Sequence, residues 1–149
     1  MFRQLLIFVH LAGVVVWVGG MFFAYFCLRP AAAQLLEPPQ RLPLWVATFD
    51  RFFRVLAVAV SLILLSGLGM FGQIGFAYAP LGWHIMLALG LAMAGIFGYV
   101  YFVLFPVLCR HCEAAAWPAA AAALNRIRQM VALNLVLGAC TILAAVAAR

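Results

Sequence analysis

The sequence predicts an all-α integral membrane protein, a four-helix bundle with both termini on the outer side of the membrane. Three observations predict it. The first is composition: of 149 residues, 70% are hydrophobic and 8% charged, with a mean hydropathy of +1.20. A soluble domain carries roughly 25% charged residues, so this chain cannot cover a water-soluble globule with polar surface. Its many aromatic and branched apolar residues also exclude disorder. The second is room. A spanning helix takes about 20 apolar residues, and the chain divides into four such stretches in one domain over 1–149, with little left for an extramembrane enzyme. The third is the placement of arginine, which sets the orientation.

The first span is expected over roughly 3–28. Arg3 followed by an apolar run resembles a signal peptide, but the run from Leu5 to Leu28 exceeds the roughly 7–15 residues of a signal core. No small-residue cleavage site precedes a polar region, so the segment reads as a retained span, stopped by Pro30. Gln34 to Pro43, rich in proline, reads as a loop. The second helix is expected from about residue 44 to 71, because proline suits a first helical turn. Asp50 and Arg54 pair at i, i+4 on its early turns. Gly72, Gly75 and Pro80 mark an uncharged connector. The third span is expected over 82–108, with Pro106 kinking or ending it. Arg110, His111 and Glu113 begin a polar segment, and Trp117-Pro118 opens a fourth helix over 118–148.

The net charge is +6, from nine arginines against Glu37, Asp50 and Glu113, with no lysine. Nucleic acid is excluded as a partner, since no basic run is interleaved with base-stacking residues. Arginines collect in cytoplasmic loops. Arg29, Arg41, Arg51 and Arg54 flank the first connector and Arg110, Arg126 and Arg128 the third, while Arg3 and Arg149 mark the termini. The first and third connectors are therefore expected in the cytoplasm and the termini outside.

His10 is the leading candidate for chemistry. A histidine within a span is rare and by default marks a functional site. Gly13, Trp17 and Gly20 share its helical face, and the two glycines would let a partner helix or a flat ligand approach closely. The competing reading is a packing face on which His10 only hydrogen-bonds another helix. His84 follows the interfacial Trp83 at the outer end of the third span, so the topology brings it to the depth of His10. Paired imidazoles from two helices bind haem b or a transition metal. Met86 offers a thioether instead. His84 and Met86, at i, i+2, do not share a face, so only one of them would join His10.

The remaining candidates are weaker. Met21, Met70, Met93 and Met130 form no tight Met motif and read as gap fillers rather than copper ligands. Cys109-Arg110-His111-Cys112 is a single C-x-x-C followed by Glu113, so it is not a covalent haem-attachment motif. Asn134 is expected to hydrogen-bond another helix. Gln73 and Tyr78 sit at the outer interface, where they would rim a quinone or porphyrin entrance or anchor the protein. No Ser-His-Asp set, H-E-x-x-H, P-loop or dinucleotide fingerprint is present. No acidic residue lies clearly within a span, since Asp50 precedes the membrane part of the second helix at roughly 52–71, which disfavours a carboxylate-driven proton pump.

Val9-His10-Leu11-Ala12-Gly13, Trp17-Val18-Gly19-Gly20-Met21-Phe22 and Leu28-Arg29-Pro30 resemble the opening of CopD-domain membrane proteins. The stretch from Leu35 to Trp45, followed by Arg51-Phe52-Phe53, resembles the small bacterial members. The resemblance covers nearly the whole chain and implies a bacterial inner-membrane protein concerned with copper. The chain is also similar to HemJ-type protoporphyrinogen oxidases, which bind haem b and carry a first-span histidine before Trp and Gly, matching His10, Trp17 and Gly20. Their Gly-Trp-Leu-His-Ile-Lys stretch is similar to Gly82-Trp83-His84-Ile85-Met86, with one residue missing and Met86 in place of the lysine.

Three functions follow as expectations. One is a haem b protein exchanging electrons with quinone or porphyrin, with His10 as axial ligand, His84 or Met86 as the second, and Gly13, Trp17 and Gly20 as pocket wall. Another is a copper transport or homeostasis protein, with ligands among His10, His84, Met86 and Met21. The third is a structural subunit without a cofactor. The lipid bilayer is the expected partner, with a homodimer as an option that no segment specifies.

Overall fold

The computed structural model describes residues 1–147. Residue 148, the expected end of the fourth span, and Arg149 lie outside the described residues. The fold is all-α, with no strand among the described residues. Four helices are long and apolar enough to cross a membrane: α1 (Phe2–Leu35), α2 (Pro38–Ile74), α3 (Leu81–Glu113) and α4 (Trp117–Ala147). Together with the composition, they make this a multi-pass membrane protein. Lipid-facing side chains such as Leu11, Val15, Phe22, Val58, Leu65, Phe102 and Leu143 are exposed on the bundle's outer surface, as apolar chains in a bilayer require.

Two expected boundaries are corrected. The first helix does not stop at Leu28, and the second does not wait for Pro43. Pro30 lies inside α1, which continues to Leu35. Pro38 and Pro39 open α2 behind an extended Glu37, so the expected loop over residues 34–43 shrinks to Leu36-Glu37. Proline's fixed φ and missing N–H suit a first turn. Mid-helix, the missing N–H must be absorbed, and both α1 and α3 absorb it in the same way. Ala24–Leu28 and Val100–Leu104 are π-helical turns, each ending two residues before Pro30 and Pro106. In each, the amide two positions after the turn's fourth residue reaches back five: Arg29 N–H to the Ala24 carbonyl, and Phe105 N–H to the Val100 carbonyl. The wider turn relieves the ring's clash with the preceding carbonyl. Cys109, His111 and Cys112, expected at a span end and in a loop, lie within the final turns of α3.

The matching turns expose an internal repeat. Tyr25-Phe26-Cys27-Leu28-Arg29-Pro30 shares Tyr, Phe, Leu and Pro with Tyr101-Phe102-Val103-Leu104-Phe105-Pro106. Counting back from the two prolines, Trp17 matches Met93 and Met21 matches Phe97, and all four side chains are buried. Met86 stands in α3 where His10 stands in α1. The packing follows the repeat: α1 packs chiefly on α2 and α3 on α4, giving two hairpins.

The hairpins meet across an apolar core that includes Trp17, Met21, Phe49, Phe53, Leu56, Met93, Phe97 and Ile127. Phe49 and Phe53 stack at 4.9 Å, and Phe53 takes the edges of Phe97 at 5.9 Å and Phe105 at 5.4 Å. Edge-to-face aromatic pairs add about 0.5–1.5 kcal/mol each beyond area burial. Gly75, at φ 88°, ends α2 in a conformation that a side chain would strain. At the opposite end of the bundle Arg128 lies within electrostatic reach of Arg29 and Arg41, and Asp50 binds Arg54.

Candidate functional site

His10 sits on α1 against the second half of α2. Its Nδ1 lies 3.0 Å from the Ile63 carbonyl and 3.1 Å from Ser66 Oγ. A carbonyl only accepts, so Nδ1 carries the proton. The Ser66 hydroxyl donates to the Leu62 carbonyl at 2.6 Å and leaves an oxygen lone pair toward the ring. In a neutral imidazole this arrangement keeps the lone pair of Nε2 free. This is how a ligating histidine is oriented, with one nitrogen held by a carbonyl and the other turned to the metal. Gly67 borders the ring, and a Cβ there would only touch His10 Cε1, at 3.4 Å.

Gly13 and Gly20 serve close packing of α1 on α2. A Cβ on Gly13 would fall 2.6 Å from Ile63 Cγ1 and 3.2 Å from the Ala59 carbonyl, and one on Gly20 would fall 2.5 Å from the Phe52 ring. The face expected to wall a pocket is occupied in this structure by α2 side chains. Trp17, on the same face, is 3% exposed and meets Phe97 edge-on at 6.4 Å.

His84 has partners of its own. Its Nδ1 lies 3.2 Å from the Pro80 carbonyl and its Nε2 3.1 Å from the Phe76 carbonyl. Its ring also stands perpendicular to Phe76 at 4.8 Å and edge-on to Phe71 at 5.4 Å. Both nitrogens face carbonyl oxygens; a neutral ring donates to one of them, and the lone pair of the other nitrogen points at a carbonyl rather than at open space. The structure makes His84 a clasp for the connector between α2 and α3. Met86 lies partly buried two residues further along α3. Among the described residues, no three His, Cys, Asp or Glu side chains converge as a metal cluster. Cys109 and Cys112 are free, partly buried thiols one turn apart.

Sequence reasoning missed Ser66, the hydroxyl beside His10. The available signal was a polar residue inside the apolar run Leu62-Ile63-Leu64-Leu65-Ser66-Gly67. It named Asn134 and Trp17 separately but did not bring them together. Asn134, 4% exposed, donates from Nδ2 to the Met93 carbonyl at 3.2 Å, the interhelical bond expected for it. Its Oδ1 and the indole Nε1 of Trp17 are buried without a hydrogen-bond partner. Both residues line one central void of about 30 Å³, together with Met21, Phe53, Phe97 and Met130.

The family described as Copper resistance protein D matches residues 46–148. No curated protein and no solved structure matches the chain. The match takes in α3, α4 and most of α2, and α1 with its histidine packs along that matched hairpin partner. With well over half of its residues inside the match, this chain belongs to the CopD family of membrane proteins.

Proposed function

We propose that this protein handles copper in the bacterial inner membrane, with His10 as its principal ligand. The observation that carries the reading is the Nδ1 bond to the Ile63 carbonyl, which leaves Nε2 as a free imidazole donor inside a span. Imidazole and thioether suit copper, the latter its reduced form. Seven of the nine arginines flank the first and third connectors, which supports an orientation with both termini outside. His10 then lies in the outer half of the membrane, on the side from which extracytoplasmic copper arrives. The family assignment supports the same substrate class.

The test is Cu(I) titration of purified protein together with copper content and sensitivity of cells. The expected result is stoichiometric binding, lost in His10→Ala, and a copper phenotype on deletion. Absence of both binding and phenotype would overturn the reading.

A second reading is haem b with redox exchange to quinone or porphyrin. The same observation favours it, since an axial histidine is oriented by a carbonyl bond at its other nitrogen. The central void, at about 30 Å³, is far below the roughly 300–1,000 Å³ of pockets for drug-sized ligands, so haem would bind outside the core. His10 would supply the axial nitrogen and the haem the redox chemistry. A Soret band in purified protein, bleached by His10→Ala, would support this reading. Colourless protein after growth with a haem precursor would reject it.

A further inference from the structure

We propose that the void between Trp17 and Asn134 is a binding site for one water molecule that bridges the two helical hairpins. The site is built from both halves of the repeat. Trp17, Met21 and Phe53 come from the first hairpin, and Phe97, Met130 and Asn134 from the second. Trp17 and Asn134 are 3% and 4% exposed, both line the same space, and each carries one buried polar atom without a hydrogen-bond partner.

The chemistry of the two atoms selects the ligand. Indole Nε1 is a donor only, and the unpartnered Asn134 atom is an amide oxygen, which only accepts, while its Nδ2 donates to the Met93 carbonyl. The occupant must accept from one wall and donate to the other. A bare metal cation would satisfy Asn134 and be repelled by the indole N–H. An anion would satisfy the indole and be repelled by the carbonyl. Water satisfies both. The volume agrees: about 30 Å³ of accessible space exceeds the ~10–15 Å³ that one water requires.

The alternative is two orphaned polar groups in an apolar core, each costing its desolvation penalty with no return. The bridge is a polar joint at the hairpin interface. It lies roughly 10 Å along α1 from His10, from the helical rise of about 1.5 Å per residue. It is independent of what His10 binds.

Ultraviolet resonance Raman spectra of metal-free protein test it, since the indole N–H band moves with hydrogen bonding. The difference between wild type and Trp17→Phe isolates Trp17 from the other three tryptophans. The expected Trp17 band is at the hydrogen-bonded position in wild type and at the free position in Asn134→Leu. A free band in wild type, or a bonded band unaffected by Asn134→Leu, would overturn the bridge. Val131→Leu, which fills the void from its wall, gives a second measurement. If the void is wet, the displaced water leaves the Trp17 band free and lowers the melting temperature. If Val131→Leu raises the melting temperature, the void is dry and the proposal fails. A metal ion that survives chelation in wild type and is lost in Asn134→Leu would also overturn it, in favour of a metal site.

Discussion

His10 Nδ1 donates to the backbone carbonyl of Ile63 across 3.0 Å, fastening α1 to α2 through a side chain that keeps its other nitrogen free. The bond fixes three things at once: the tautomer, the ring orientation and the register of the first hairpin. Gly13 makes it reachable, since a side chain there would meet Ile63 and the Ala59 carbonyl and hold the helices apart. A packing histidine needs only the bond, whereas a ligand also needs the free nitrogen, and this geometry supplies both.

Ser66→Ala separates packing from ligation. The hydroxyl already bonds within its own helix, to Leu62 at 2.6 Å, so its loss should cost about 1 kcal/mol or less of stability. The ring would lose one of its two neighbours and some of its orientation. Partners of this kind are typically worth about 10–100-fold in metal affinity. Cu(I) titration should show weaker binding in Ser66→Ala with near-normal unfolding. An unchanged affinity would mean that Ile63 alone orients the ring.

The glycines of α1 give a stability prediction with an internal control. At Gly13 an added methyl meets Ile63 at 2.6 Å and a backbone oxygen at 3.2 Å, and the oxygen cannot rotate away. At Gly19 nothing lies within 4 Å. Gly13→Ala should destabilise by about 1–3 kcal/mol, the usual cost of overpacking. Gly19→Ala should be neutral or gain up to ~1 kcal/mol from helix propensity. Unfolding in mild detergent measures both, and equal effects would contradict the close approach at Gly13.

What was legible in the sequence follows from what the bilayer demands. Apolar length and arginine placement are properties of single segments, so four spans could be read directly. Helix ends at proline could not, because whether Pro30 ends a helix depends on whether the backbone can widen by one residue before it. The matching turn before Pro106 shows that it can. His10 stood out because an ionisable group in a span is costly wherever it points. The pairing of His10 with His84 was drawn from depth alone, and depth carries no information about which way a side chain faces. Asn134 was legible as an interhelical donor, but its orphaned oxygen was not, because that depends on Trp17 from another helix. The repeat is written in the sequence as Tyr-Phe-x-Leu-x-Pro, visible only once two identical turns prompt the alignment.

The proposed orientation, with both termini outside, is tested with the protein's own thiols. Cys109 and Cys112 lie in the last turns of α3, at the arginine-rich end. A cysteine placed at Tyr78, 84% exposed in the opposite connector, reports the other side. With termini outside, an impermeant thiol reagent should label Tyr78→Cys in intact cells, and Cys109 and Cys112 only after the membrane is opened. The reverse pattern would invert the topology and move His10 to the cytoplasmic half.

His84→Ala distinguishes the two histidines. Both nitrogens of His84 face connector carbonyls, at 3.2 Å and 3.1 Å, and its ring is packed against Phe71 and Phe76. Its removal should loosen the turn between α2 and α3, leaving one or both carbonyls to water at a cost of about 0.5–1.5 kcal/mol. Copper affinity, or the Soret band if haem is the ligand, should stay within about twofold of wild type, whereas His10→Ala should abolish it. Hydrogen exchange over residues 75–80 reads the loosening, and metal or haem titration reads the site. Loss of binding in His84→Ala without faster exchange would show that the ring leaves its carbonyls to join His10, restoring the paired-imidazole site that the depth of the two residues suggests.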